Sequence, residues 1–313
     1  MHKQTIEVIV PASTANLGPG FDSIGMALNL FVTVRIEPAA EMGVFFHGDM
    51  LSGLPADEDN LIMQVMRQCF TAQGQDLPPF HLHVWSDIPL TRGLGSSASA
   101  LAAGLVAANH LLGDVYSMDD LLQLGTAWEG HPDNIGASLL GGVVIGSWDG
   151  ERASVVQVPP PELDVVVAVP QFELPTAKAR EALPDHIPFQ DAILASSEAN
   201  VLTAALMQGR WGLLATAMKD CFHQPYRASF IPGMADILDN AAAHGALGVA
   251  LSGAGPTLLT FTHEKEKITN YLSDAFSKYE TPVSIYHLRP CRTGAVVRLT
   301  ESAQPCKVVG KNL

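Results

Sequence analysis

The stretch that most constrains this chain is Pro89-Leu-Thr-Arg-Gly-Leu-Gly-Ser-Ser-Ala-Ser-Ala100, which sets two glycines and several serines directly ahead of an Ala/Leu-rich run reaching Leu112. Upstream, Phe80–Ser86 alternates partly with the period of a strand, whereas Ala98–Leu112 reads as a buried helix. The glycines therefore fall in a strand-to-helix turn. Gly93 and Gly95 permit backbone conformations closed to other residues, and the first N–H groups of the helix beyond them have no partner within it. Free donors at the positive end of a helix dipole suit a phosphate, and Ser96 and Ser97 add hydroxyls able to bond a phosphate oxygen or Mg²⁺. The same residues could simply turn the chain and cap the helix, so taken alone the stretch leaves both readings open. It contains neither the Gly-Lys-Ser/Thr of a Walker A loop nor the Gly-x-Gly-x-x-Gly of a dinucleotide fold.

Composition narrows the classes that remain. At 313 residues and 47% hydrophobic content the chain can bury large cores, and its length suggests two domains. A net charge of −14 argues against a nucleic-acid or anionic-membrane surface, leaving 18 Lys and Arg for any anion binding. Cys69, Cys221, Cys291 and Cys306 are scattered without a Cys-x-x-Cys pair, which suits reduced thiols better than a disulfide or zinc framework. With no membrane-length apolar run and no signal-peptide core at the start, a cytoplasmic protein is expected.

Strands are predicted at Ile6–Val10, Ala27–Ile36, Phe80–Ser86 and Gly142–Trp148, and helices at Leu61–Gln73, Ala98–Leu112 and Met118–Trp128. Beyond the proline-bearing stretch 158–162 come a strand at Asp164–Val169 and helices near Asp191–Gln208, Trp211–Asp220 and Met234–His244. Strands at Gly248–Leu251 and Leu258–Thr262, a helix at Lys265–Lys278, and strands near Val283–Leu288 and Gly294–Leu299 complete the reading. The elements lack a regular βαβ rhythm, so the expected class is α+β with largely antiparallel sheets, divided into residues 1–155 and 156–313.

Three further stretches carry polar groups in patterns that chemistry could use. Pro11-Ala-Ser-Thr-Ala-Asn-Leu-Gly-Pro-Gly-Phe-Asp22 reads as a long loop whose prolines and glycines stiffen the mounting of Asn16 and Asp22. In Trp128-Glu-Gly-His-Pro-Asp-Asn134, Glu129 ends a helix, where the dipole disfavours a carboxylate and a cation would relieve the mismatch; His131, Asp133 and Asn134 follow in a turn. Mg²⁺ commonly takes one or two carboxylates together with substrate phosphates. Leu251-Ser-Gly-Ala-Gly-Pro-Thr-Leu258 is a second glycine-rich turn that could close over a ligand held by the first. Arg180 and Arg227 offer forked donors for a carboxylate or phosphate, although most arginines are merely solvated.

Taken together, Pro11-x-Ser-x-Ala-Asn-Leu-Gly-Pro-Gly-Phe-Asp22, Pro89-x-x-x-Gly-Leu-Gly-Ser-Ser-Ala98, Glu129 with His131-Pro-Asp-Asn134, and Ser252-Gly-Ala-Gly-Pro-Thr257 resemble the successive signatures of the GHMP kinases, in order and over nearly the whole chain. The Asn16–Asp22 stretch, Thr176–Pro184 and Pro225-Tyr-Arg227 are similar to the branch acting on L-homoserine. The resemblance implies an N-terminal ribosomal-S5-like domain, a C-terminal ferredoxin-like domain, and ATP-dependent phosphorylation of homoserine between them, a step of threonine biosynthesis. It implies ATP binding by Asn60 and by Pro89, Leu90, Thr91, Arg92, Gly93, Leu94, Gly95, Ser96, Ser97, Ala98 and Ser99, with Ser97 and Glu129 holding Mg²⁺. Asn16, Asp22 and Asn134 would then hold the amine and hydroxyl end of the substrate, and Arg180 and Arg227 its carboxylate. It further implies direct in-line transfer without a strong base, Asp133 supporting, and a homodimer. A related kinase for another alcohol and a catalytically silent sensor on the same fold are the competing readings.

Overall fold

Two long strands open the molecule, a computed structural model that describes residues 4–300. β1 (Thr5–Asn16) and β2 (Gly20–Pro38) pair antiparallel and are joined only by Leu17, Gly18 and Pro19. The segment from Pro11 to Asp22, assigned to a long loop on composition, is therefore a tight hairpin. Its turn-forming residues serve two register shifts, between Pro11 and Ala12 and between Ala15 and Asn16, which bend the ladder without ending it. Almost all of β1 is buried, so its backbone groups need that ladder.

β3 (Gly43–His47), α1 (Leu61–Ala72), β4 (Phe80–Ser86), α2 (Ser96–Leu111), α3 (Met118–Glu129), α4 (Asp133–Leu140), β5 (Val143–Trp148) and β6 (Ala153–Val158) follow. The first sheet has the order β11-β1-β2-β4-β3, with β5 on β2 and β6 on β5; only β3 with β4 is parallel. β2 is long enough to pair with β4 through Val32–Pro38 and with β5 through Ile24–Met26. α2 is apolar around its circumference, is buried over most of Ala98–Asn109, and packs on β1 and β2 and against α1, α3 and α4. Burying Leu101 and Leu105 contributes roughly 1.5–3 kcal/mol each, anchoring the helix whose N-terminus faces the glycine turn.

β7 (Asp164–Pro170) begins the second sheet, followed by α5 (Thr176–Glu181), α6 (Phe189–Gln208), α7 (Leu214–Ala217), α8 (Gln224–Arg227) and α9 (Met234–Asn240). β8 (Ala246–Leu251), β9 (Leu258–Thr262), α10 (Lys265–Ser277), β10 (Val283–Leu288) and β11 (Val296–Thr300) complete the described chain. This sheet, ordered β10-β7-β9-β8, is wholly antiparallel. The apolar run of β7 has two buried faces: Val165, Val167 and Val169 join the larger core, while Val166 and Ala168 join a smaller one with Ile231, Met234, Ile237 and Phe276. β11 returns to pair with β1, so the end of the described chain closes the edge of the first sheet.

The α+β class and the largely antiparallel sheets agree with the sequence reading. The helix expected over Trp211–Asp220 stops at Ala217, because the Asp220 carboxylate accepts the backbone N–H groups of Phe222, His223 and Gln224 and starts α8 instead. Asp133 and Asn134 open α4 rather than lying in a turn. Cys69, Cys221 and Cys291 are free thiols; Cys306 lies outside the described residues.

Candidate active site

The glycine turn is held in place by the protein around it. Gly93 and Gly95 have φ of 75° and 67°, in the region that favours glycine. A Cβ on Gly93 would lie 2.2 Å from the Ser252 carbonyl oxygen, and one on Gly95 would lie 2.1 Å from Ser13 Oγ. The space that glycine leaves is thus filled by β1 and by the second glycine turn. Ser252 Oγ donates to the Gly93 carbonyl and lies 2.8 Å from Thr14 Oγ1, and Gly253 N–H donates to the Ala15 carbonyl at 3.1 Å. Gly95 precedes α2 without a side-chain cap, leaving the first-turn N–H groups available to a ligand.

Beside this turn opens a cleft of about 390 Å³. Among the residues expected to bind nucleotide or metal, Thr91, Arg92, Gly93, Gly95, Ser96, Ser97, Ala98 and Glu129 line it. Pro89, Leu90, Leu94, Ser99 and Asn60 do not. Leu94 is core, and Ser99 Oγ lies 2.9 Å from both the Pro11 and Gly95 carbonyl oxygens. Asn60 caps α1, accepting from Ile62 N–H and donating to the Pro55 carbonyl. Arg92 directs its guanidinium to the carbonyls of Leu90, Pro170 and Gln171, tying the turn to the end of β7.

Glu129 sits at the C-terminal end of α3 as expected. Burial, reinforced by the Asp133 charge and opposed by His131, pushes its carboxyl up to about 7, and its buried Oε2 has no hydrogen-bond partner among the described residues. A carboxylate oxygen without a donor, sharing a cleft with the Ser97 hydroxyl and an open helix N-terminus, is a donor set that fits Mg²⁺ and phosphate.

The opposite end is built from side chains brought together across the chain. Asp22, at a strained φ of 54°, accepts both terminal nitrogens of Arg180 at 2.9 Å. Asn16, also left-handed with φ 73°, bonds Asp22 N–H through Oδ1 and the Gly253 carbonyl through Nδ2, so its amide braces the hairpin against the second glycine turn. Asn134 Oδ1 accepts from Ser13 Oγ at 3.1 Å. Arg227 is buried and donates to the carbonyls of Ala179 and Gly253 and to His223 Nδ1. Burial and the nearby Arg180 charge push it down to about 10, which still leaves a cation at neutral pH. Asn16, Asp22, Asn134, Arg180 and Arg227 all line the cleft.

Phe21 and His131 line the cleft without having been singled out as ligands, and His223 is buried behind Arg227. Both guanidinium carbons lie over the Phe21 ring, Arg180 at 5.5 Å and Arg227 at 5.4 Å. Phe21 could have been noticed as the aromatic residue inside the Asn16–Asp22 signature. His131 Nδ1 lies 2.6 Å from Asp133 Oδ1. Burial alone would lower its pKa, but the bond and charge of Asp133, together with Asp22 and Glu129, outweigh it and raise it to about 9. The cleft therefore holds an imidazolium at neutral pH.

Comparison with known proteins shows the family to which the chain belongs. The models for the GHMP kinases N terminal domain and the GHMP kinases C terminal domain match residues 60–142 and 202–278. The homoserine kinase of Carboxydothermus hydrogenoformans is 40% identical, covering 92% of this chain and 95% of that protein. That of Deinococcus radiodurans is 45% identical, over 87% of this chain and 90% of its own. The crystal structure of homoserine kinase from Cytophaga hutchinsonii superposes with a TM-score of 0.83 at 30% identity, covering 95% of this chain and 98% of that one.

Proposed function

Since the chain belongs to the GHMP kinases, and within them to the homoserine kinases, we propose that it transfers the γ-phosphoryl group of ATP to the side-chain hydroxyl of L-homoserine, yielding ADP and O-phospho-L-homoserine on the route to threonine. The observation that carries this reading is that one cleft joins an open helix N-terminus to an opposed carboxylate and two guanidinium groups. A phosphate donor suits the first, and an amino acid carrying an alcohol suits the second.

Phosphoryl transfer asks a protein chiefly for alignment and charge stabilisation. Ser96, Ser97 and the first-turn N–H groups of α2 would hold the phosphates. Ser97 and Glu129 would hold Mg²⁺, which when bound neutralises phosphate charge. Asp22 would receive the ammonium, Arg180 and Arg227 the carboxylate, and Asn134 the hydroxyl. The His131 imidazolium adds positive charge to the same cleft. Asp133 is buried, its Oδ1 receiving His131 and the Asn134 N–H at 2.7 Å, which supports a holding part and direct transfer without a strong base. Two copies pairing as a homodimer in the cytoplasm belong to the same proposal; light scattering measures the first. No helix among the described residues is long and apolar enough to cross a membrane.

ADP release from ATP and Mg²⁺, compared across L-homoserine, mevalonate, shikimate, galactose and L-serine, tests the reading. Selective turnover of L-homoserine, abolished in Ser97→Ala/Glu129→Ala, is expected. Turnover of another alcohol in preference would assign a different substrate, and nucleotide binding without turnover of any would make the protein a sensor.

A further inference from the structure

Arg227 reaches the cleft from within the protein, and a completely buried histidine stands behind it. His223 Nε2 lies 3.0 Å from the Gly18 carbonyl oxygen, and its Nδ1 lies 3.0 Å from Arg227 Nη1. A carbonyl oxygen only accepts and a guanidinium only donates. The geometry thus requires hydrogen on Nε2 and a lone pair on Nδ1, the neutral Nε2–H tautomer. The ring also stacks on Phe21, with centroids 5.1 Å apart and planes at 25°, and Phe21 in turn lies beneath both guanidinium groups. Through Gly18 the same imidazole grips the hairpin turn between Asn16 and Asp22, so one ring ties the amine end of the site to the carboxylate end.

We infer that His223, as the neutral Nε2–H imidazole braced on Phe21, is the positioning residue that presents Arg227 to the substrate carboxylate, and that protonating it releases this hold. The inference rests on the reading of the cleft as a homoserine site. A doubly protonated ring would turn an N–H and a positive charge toward Arg227. The charged groups facing the ring are Arg227 on α8, Asp220 just before α8 with Oδ2 3.4 Å from Nε2, and Asp22 on β2. Asp220 already accepts the N–H groups of His223 and Gln224 through that oxygen, and Asp22 is paired with Arg180. Burial is the largest influence on His223 and lowers its pKa, the Arg227 charge acting in the same direction against the two aspartates, so the ring stays neutral at pH 7.

The test compares wild type, His223→Leu and His223→Gln. Wild-type turnover of L-homoserine is measured first and judges the functional reading by itself. In His223→Leu, the KM for L-homoserine should rise about tenfold while the KM for ATP and kcat stay within about threefold. Glutamine can both accept from Arg227 and donate to Gly18, so His223→Gln should recover most of that loss. In wild type the KM for L-homoserine should climb on the acid side as His223 takes up a proton, and this limb should be missing in His223→Gln. Equal rises in both KM values, a glutamine variant no better than leucine, or an acid limb that persists in His223→Gln would each overturn the inference. If the leucine variant does not fold, the acid limb decides between wild type and glutamine. The ring ¹⁵N signals, identified by their loss in His223→Gln, report the tautomer without any substrate, and an Nδ1–H or charged ring at pH 7 would likewise overturn it.

Discussion

The two ends of the cleft are made in different ways. The phosphate end is largely backbone: a short turn, two glycines with positive φ and the start of α2, all within residues 91–98. The substrate end is largely side chain, with Asp22 on β2, Asn134 on α4, Arg180 on α5 and Arg227 on α8, drawn from positions spread between 22 and 227. Backbone donors need only a correct local path, whereas opposed charges need partners that hold them in place. An error in the first should damage binding and folding together; an error in the second should damage substrate binding alone.

The largest effect expected is at the phosphate end. Gly93→Ala places a methyl against the Ser252 carbonyl, a backbone atom that cannot swing aside, at a φ of 75°. A displaced turn should reduce kcat/KM for ATP about 100-fold, and thermal denaturation should show an accompanying loss of stability. Wild-type kinetics in this variant would mean that the path of the turn is not what places the phosphates.

Next comes Glu129, whose Oε2 is buried and without a partner among the described residues. Folded Glu129 keeps its proton to about pH 7, whereas an ordinary glutamate releases it near 4.5, so the metal-free folded state binds more protons across that window. Stability should therefore fall as pH rises from about 4.5 to 7, by on the order of 3 kcal/mol. His131, raised from 6.5 to about 9, should continue the decline between those values. Denaturant titrations should find the lower slope absent in Glu129→Gln and the upper one still present; an unchanged lower slope would remove Glu129 as its source.

At the substrate end, Arg180→Gln and Asp22→Asn should each raise the KM for L-homoserine about tenfold with little change in the KM for ATP. Because the two residues bond each other in two places, the double variant should cost less than the singles combined. Strict additivity would separate their roles. The smallest effect separates a cap from a contact. Asn60→Ala should cost about 1 kcal/mol of stability through the start of α1 while the KM for ATP stays nearly constant.

What could be read in advance follows the same division. The strand, turn and helix from Phe80 to Leu111 were legible because periodicity, glycine placement and Ala/Leu content act on neighbouring residues. The hairpin through Pro11–Asp22 was not, since turn-rich composition conceals a ladder interrupted by two register shifts. Asp133 and Asn134 looked like turn residues because Asp and Asn favour turns, and only packing shows them opening a helix. His223 carried no signal at all: its importance comes from a carbonyl 205 positions away and a guanidinium one turn on.

By itself, then, the sequence determined the α+β class, the glycine turn ahead of a buried helix and the signature residues that gather at the cleft, because local backbone preference and apolar periodicity are written residue by residue. Only the tertiary structure decided that Asp22 grips Arg180, that two guanidinium groups lie over the Phe21 ring and that a neutral His223 stands behind Arg227. Those charges and tautomers depend on burial and on distant partners, which exist only once the chain has packed.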